Sequence, residues 1–131
     1  MVAGVGDSRS GIDKRPDMET YVYAELIPNY WEVKEEALLA RSPVAWPERL
    51  CPTTPLLLLH GTADWRVDPG ETMSLARGLY DLRRPYRLIM YEGADHGLSE
   101  YRAEAYGQIR SWMDRYVRDL EPLPDLEPHG D

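Results

Sequence analysis

The sequence predicts an α/β domain built on parallel strands. Three observations predict it. The run 55-PLLLL-59 is continuously apolar and bounded by Pro and Gly, as a strand covered on both faces is. A second strand-like run, 86-YRLIMYE-92, comes later. Between the two, residues 69–83 carry apolar side chains at helical spacing, so strand, helix and strand alternate. Such units within one sheet run parallel.

The elements follow in order. The opening 2-VAGV-5 reads as a short apolar strand, and 6-GDSRSG-11 as a turn. Residues 18–40 have helical character, with Ala37, Leu38 and Leu39 on one apolar side. The segment 42–55 is broken by prolines and holds one short turn, with Ser42 as N-cap and Pro43 first in the turn. Residues 55–60 form the buried strand. The helix over 69–83 starts at Pro69 and presents Met73, Ala76, Leu79 and Tyr80 on one side. Residues 86–91 form the last strand. A long helix over 99–119 follows, with Tyr101, Ala105, Ile109, Trp112, Tyr116 and Leu120 marking its buried side. Glu100 and Glu104 suit its positive N-terminal end. About three parallel strands are expected, near 2–5, 55–60 and 86–91.

Composition narrows the classes. The 131 residues are 43% apolar and 29% charged, as in a globular domain, and fit one domain. The formal charge is −8, but the tail 119-DLEPLPDLEPHGD-131 supplies −5 of it and leaves about −3 for residues 1–118. Residues 1–118 are read as the domain, and 119–131 as an acidic, Pro-rich tail expected to be disordered. With no basic stripe bearing aromatics, nucleic acid is not an expected partner. No apolar run reaches the ~20 residues of a membrane span. The N-terminus lacks the pattern of a secretory signal, and Cys51 is the lone cysteine, so a cytoplasmic, reducing compartment is expected. No cofactor or metal is expected.

Parallel strands end on one edge of the sheet, where open α/β sheets carry their chemistry. The loops 60-HGTADWRV-67 and 92-EGADHGLSE-100 both leave that edge. Asp64 and His96 are thus predicted to meet across 32 residues of sequence. A carboxylate beside a histidine fixes its tautomer and stabilises the imidazolium, which is what a serine nucleophile requires of its base.

These residues carry a resemblance. The stretch 55–82 followed by 86–100 resembles the C-terminal end of the prolyl oligopeptidase family of serine peptidases. VAGVGD at 2–7, YW at 30–31 and SP at 42–43 extend the likeness to roughly residues 1–118. The resemblance implies an α/β-hydrolase fold. It assigns the triad aspartate to Asp64, in an HG-x-x-D-x-x-V loop, and the triad histidine to His96, in a D-H-G loop. It also implies a G-x-S-x-G nucleophile elbow, and these 131 residues contain none. In the nearest decoy, GDSRSG, Ser8 and Ser10 are wrongly spaced and no helix is expected to open there. The nucleophile and most of the oxyanion hole are therefore expected upstream of this sequence.

Alternatives accompany each residue. Asp68 is a second candidate carboxylate, but before Pro69 it reads more simply as a helix N-cap. His60 reads as a structural hydrogen-bonding group, and Asp95 as a turn residue. A metal site from His60, Asp64 and His96 lacks a supporting ligand pair. Cys51 reads as a packed side chain, and Trp65 either lines a site or covers the sheet edge. Three functions follow: part of a serine peptidase, part of an esterase or dienelactone-type hydrolase, or a non-catalytic interaction domain. Expected partners are a peptide or small ester substrate, and a second copy or complementing chain at an exposed edge near residues 2–5.

Overall fold

The computed structural model describes residues 1–130. Two parallel strands, β1 (Leu56–Gly61) and β2 (Tyr86–Tyr91), form the sheet. Their register runs from Leu56 opposite Tyr86 to Gly61 opposite Tyr91, so both strands end level. Between them runs α4 (Pro69–Asp81), and after β2 comes α5 (Arg102–Met113). Before the sheet lie α1 (Ser8–Lys14), a helical stretch α2 (residues 16–26) with a π turn at Glu19–Tyr23, and α3 (Tyr30–Ala40).

The unbroken Leu run is explained by burial on both faces. Leu57 and Leu59 pack with Tyr91, Ala94, Leu98 and Ala105 beneath α5. Leu58 faces the other way, onto Leu75, Ala76 and Leu79 of α4. Alternate side chains of Leu57, Leu58 and Leu59 thus feed two separate cores, which is why this part of the strand is continuously apolar. A third cluster, Ile12, Ile27, Tyr30, Ala37 and Leu38, holds the N-terminal helices together.

The N-terminal strand is reduced to a bridge. Val2 pairs in parallel with Leu59, and the Ala3 amide donates to the Leu59 carbonyl at 2.9 Å. Pairing stops there because Ala3 takes φ +42, which no extended strand allows. The chain is then held by Glu71 of α4, whose buried carboxylate accepts from the Gly6 and Asp7 amides at 2.8 Å each.

Other expectations are corrected. GDSRSG opens a helix, α1, because the Asp7 side chain accepts from the Arg9 amide at 3.0 Å and caps it. The span 18–40 is interrupted: Ile27 is extended and Asn29 lies at φ +54, before α3 restarts. Ser42 makes no capping bond to the short turn Pro43–Ala45. Fully buried, its hydroxyl accepts from the Ser8 amide at 2.9 Å and donates to the Leu38 carbonyl at 2.8 Å. In α4, Met73 and Tyr80 are exposed, and the buried stripe is Thr72, Leu75, Ala76 and Leu79. The last helix leaves α geometry at a π turn over Asp114–Arg118, and Leu120, at φ +50, is exposed rather than buried. No helix among the described residues is long and apolar enough to cross a membrane.

Candidate active site

The level ends of β1 and β2 bring two loops side by side. They are stitched together by backbone: the Thr62 amide donates to the Tyr91 carbonyl at 2.9 Å, and the Ala63 amide to the Ala94 carbonyl at 3.0 Å. The Thr62 hydroxyl accepts from the Gly93 amide at 2.8 Å. Such close approach requires glycine at position 61, where a Cβ would meet the Ala94 carbonyl oxygen at 2.3 Å. The second loop folds tightly. Gly93 takes φ +68, and Leu98, at φ +50, drives its side chain into the core.

Asp64 and His96 meet across these loops. Asp64 Oδ2 lies 2.8 Å from His96 Nδ1. The other oxygen, Oδ1, accepts from the amides of Arg66 at 2.8 Å and Val67 at 3.1 Å. Burial raises the Asp64 carboxyl, but the hydrogen bonds from His96 and from the Val67 and Arg66 amides outweigh it and hold the group below its ordinary range. Asp64 is therefore a fixed carboxylate that accepts from His96 Nδ1, and in the neutral ring that tautomer leaves the lone pair on Nε2. The His96 side chain is 36% exposed, and its Nε2 has no partner among the described residues. The pair can hold an imidazole in one tautomer and take a proton on its outward side.

His60 sits behind them, fully buried. Its Nε2 lies 3.0 Å from Asp64 Oδ2 and its Nδ1 2.6 Å from Thr72 Oγ1. The structural hydrogen bond expected of it is present, but its partner is the Asp64 carboxylate itself. Thr72 was not legible as part of this cluster. Its one signal was position, because a threonine at 72 shares the helical stripe of Leu75, Ala76 and Leu79.

The remaining candidates fall elsewhere. The Asp68 side chain caps α4 through the Gly70 amide at 2.8 Å and pairs with Lys14. Lys14 and the Gly70 amide hold its carboxyl low. Asp95 accepts from the Ser99 amide at 3.0 Å and hydroxyl at 2.9 Å, a turn role. Cys51 is exposed, not packed, and hydrogen bonds from Thr53 and Thr54 lower its thiol to about 7. Trp65 stands 70% exposed, with the guanidinium groups of Arg15 and Arg66 at 5.8 and 5.4 Å from its ring. Among the described residues no cluster of three or more His, Cys, Asp or Glu could hold a metal ion.

Comparison with known proteins agrees with this architecture. Over 77 residues the chain is 35% identical to the acylamino-acid-releasing enzyme of Rattus norvegicus, covering 59% of this chain and 10% of that protein. The acylaminoacyl peptidase of Pyrococcus horikoshii superposes with a TM-score of 0.73 at 18% identity, over 95% of this chain and 21% of that one. An acylaminoacyl peptidase in complex with Z-Gly-Gly-Phe-chloromethyl ketone gives 0.68 at 19% identity, over 98% and 20% of the two chains. A puromycin-hydrolyzing peptidase of Mycobacterium tuberculosis gives 0.56 at 30% identity, over 73% and 14%. These neighbours show the α/β-hydrolase fold. The chain spans about a tenth of the curated relative's length and about a fifth of the two acylaminoacyl peptidases. The family model for the prolyl oligopeptidase family matches residues 3–119. The chain belongs to the prolyl oligopeptidase family.

Proposed function

We propose that these residues supply the aspartate and histidine of a serine peptidase, with the nucleophilic serine provided from outside this sequence. The observation that carries the reading is the 2.8 Å contact between the buried Asp64 carboxylate and Nδ1 of the half-exposed His96. In this reading His96 Nε2 takes the serine hydroxyl proton as the oxygen attacks the scissile carbonyl. The imidazolium so formed is stabilised by Asp64. It then gives the proton to the leaving amine, and water repeats the sequence to release the acid. Asp64 stays ionised throughout and keeps the ring in register. The serine-bearing segment would lie along the free side of residues 1–5, where Met1, Val2 and Val5 are exposed.

The names of the similar proteins suggest N-acylated amino-acid derivatives as the first substrates to try. The test is turnover of an N-acylated amino-acid anilide by the protein carrying these residues together with its serine. His96→Ala should abolish acyl-enzyme formation. Asp64→Asn presents an amide N–H to Nδ1, inverts the tautomer and should lower kcat on the order of 10⁴-fold. Near-normal turnover in Asp64→Asn would overturn the assignment. An ester of the same acyl group separates the alternative reading, an esterase: hydrolysis of the ester without the anilide would favour it.

A further inference from the structure

A fully buried histidine beside a catalytic-type carboxylate is a group the acyl-transfer steps above do not use. His60 and Thr72 are both without solvent exposure. The ring has three polar neighbours. Asp64 Oδ2, 3.0 Å away, and the Val67 carbonyl oxygen, 3.2 Å away, both face Nε2. Thr72 Oγ1 faces Nδ1 at 2.6 Å. Neither neighbour of Nε2 can donate, so Nε2 carries the proton. Nδ1 then presents a lone pair, and the Thr72 hydroxyl donates to it. Every polar atom of the neutral ring is satisfied in this one tautomer.

Asp64 Oδ2 thereby receives two imidazole N–H donors, His60 from behind and His96 from the front. The two amides on Oδ1 fix one end of the carboxylate. His60 fixes the other, because rotation of the carboxylate would break its bond as well as that to His96. The arrangement is a hydrogen-bond chain in which Thr72 donates to His60 and His60 to Asp64, with His96 donating to the same carboxylate from the opposite side. His60 leaves the end of β1 and Thr72 belongs to α4, so the chain ties the orientation of Asp64 to the packing of helix on sheet.

We propose that His60 and Thr72 are positioning residues for the Asp64–His96 pair: Thr72 anchors the His60 ring through Nδ1, in the tautomer that Asp64 and the Val67 carbonyl select, and His60 holds the oxygen of Asp64 that receives His96. This rests on the triad reading above. It differs from a purely structural role because it predicts changes in the folded protein's ring tautomers and turnover, beyond its melting temperature.

The test combines a spectrum with a short variant series. Long-range ¹H–¹⁵N correlation of the full chain reports each ring nitrogen directly. His60 should appear with protonated Nε2 and unprotonated Nδ1, and His96 with protonated Nδ1. A His60 protonated on Nδ1 overturns the proposal without any variant being made. Thr72→Val keeps the shape of the side chain and removes the hydroxyl; Thr72→Ser keeps the hydroxyl. Assayed in the protein with its serine, Thr72→Val should lower kcat about tenfold at unchanged KM, the loss of one hydrogen bond in a polar chain, and Thr72→Ser should restore it. Full turnover in Thr72→Val, with Asp64→Asn inactive, would overturn the positioning role alone. Full turnover in both variants would overturn the triad reading itself.

Discussion

Replacing Gly61 by alanine tests whether the contact between the two loops is what sets the Asp64–His96 geometry. The new Cβ would lie 2.3 Å from the Ala94 carbonyl oxygen and 2.6 Å from that of Asp95. Real Cβ atoms essentially never come within 3.0 Å of another group, so one loop must retreat by at least about 0.7 Å. No side chain can swing aside, because the obstacle is the backbone that carries His96. Applied to the His96 bond, now 2.8 Å, that retreat gives about 3.5 Å, beyond an effective hydrogen bond. The bond from Ala63 to Ala94, now 3.0 Å, is strained in the same movement. Overpacking of this kind costs about 1–3 kcal/mol. Misplacing a catalytic group by nearly an ångström can cost about 10²-fold in turnover. Urea denaturation measures the first effect and steady-state hydrolysis, in the protein with its serine, the second. An unchanged urea midpoint together with unchanged turnover would refute the reasoning. Gly107→Ala serves as control: it lies in α5 with open space around its added Cβ and should stabilise by up to about 1 kcal/mol.

Further outcomes follow from the same geometry. Leu59 is fully buried at the centre of the sheet, and Leu59→Ala should destabilise by about 2–5 kcal/mol, read from the denaturation midpoint. Glu71→Ala removes the acceptor of the Gly6 and Asp7 amides, so hydrogen exchange at these two positions should accelerate well before that of β1. Asp64, with its carboxyl held low in the fold, contributes stability that is fully present above the unfolded carboxylate value near ~3.9 and is lost as pH falls through the depressed folded value. Acid unfolding of Asp64→Asn should therefore be less steep over that window than that of the native protein; equal steepness would mean that Asp64 carries no depressed titration.

The parts of the fold legible in the sequence are those where one physical requirement dominates. The Pro- and Gly-bounded run 55–60 reads as a strand buried on both faces, and its partner at 86–91 follows from the helix between them. That order alone brings Asp64 and His96 to one edge, and the structure holds them 2.8 Å apart. The misread parts are those where a tertiary partner decides. GDSRSG looks like a turn until Asp7 caps a helix, and the segment 2–5 looks like a strand until Ala3 turns left-handed. In α4, the apolar residues Met73 and Tyr80 suggested the wrong face. Burial instead favours Thr72, because its hydroxyl finds His60, and Glu71, because its carboxylate finds two amides. Buried polar residues are legible only once their partners are known, and here both partners lie far away in sequence or on another element.

The most direct test is chemical. A peptidyl chloromethyl ketone alkylates an imidazole nitrogen that presents a lone pair: the nitrogen attacks the methylene carbon and chloride leaves. Incubated with the protein carrying its serine, and mapped by peptide mass spectrometry, the reagent should modify His96 on Nε2 and lose that reaction when substrate is present. His60, fully buried, and His129, exposed in the tail, provide internal references, and any adduct on the exposed Cys51 is scored separately. Rapid, substrate-protected modification of His96 is the predicted result. Modification of His96 no faster than of His129, and unaffected by substrate, would contradict its role as the base.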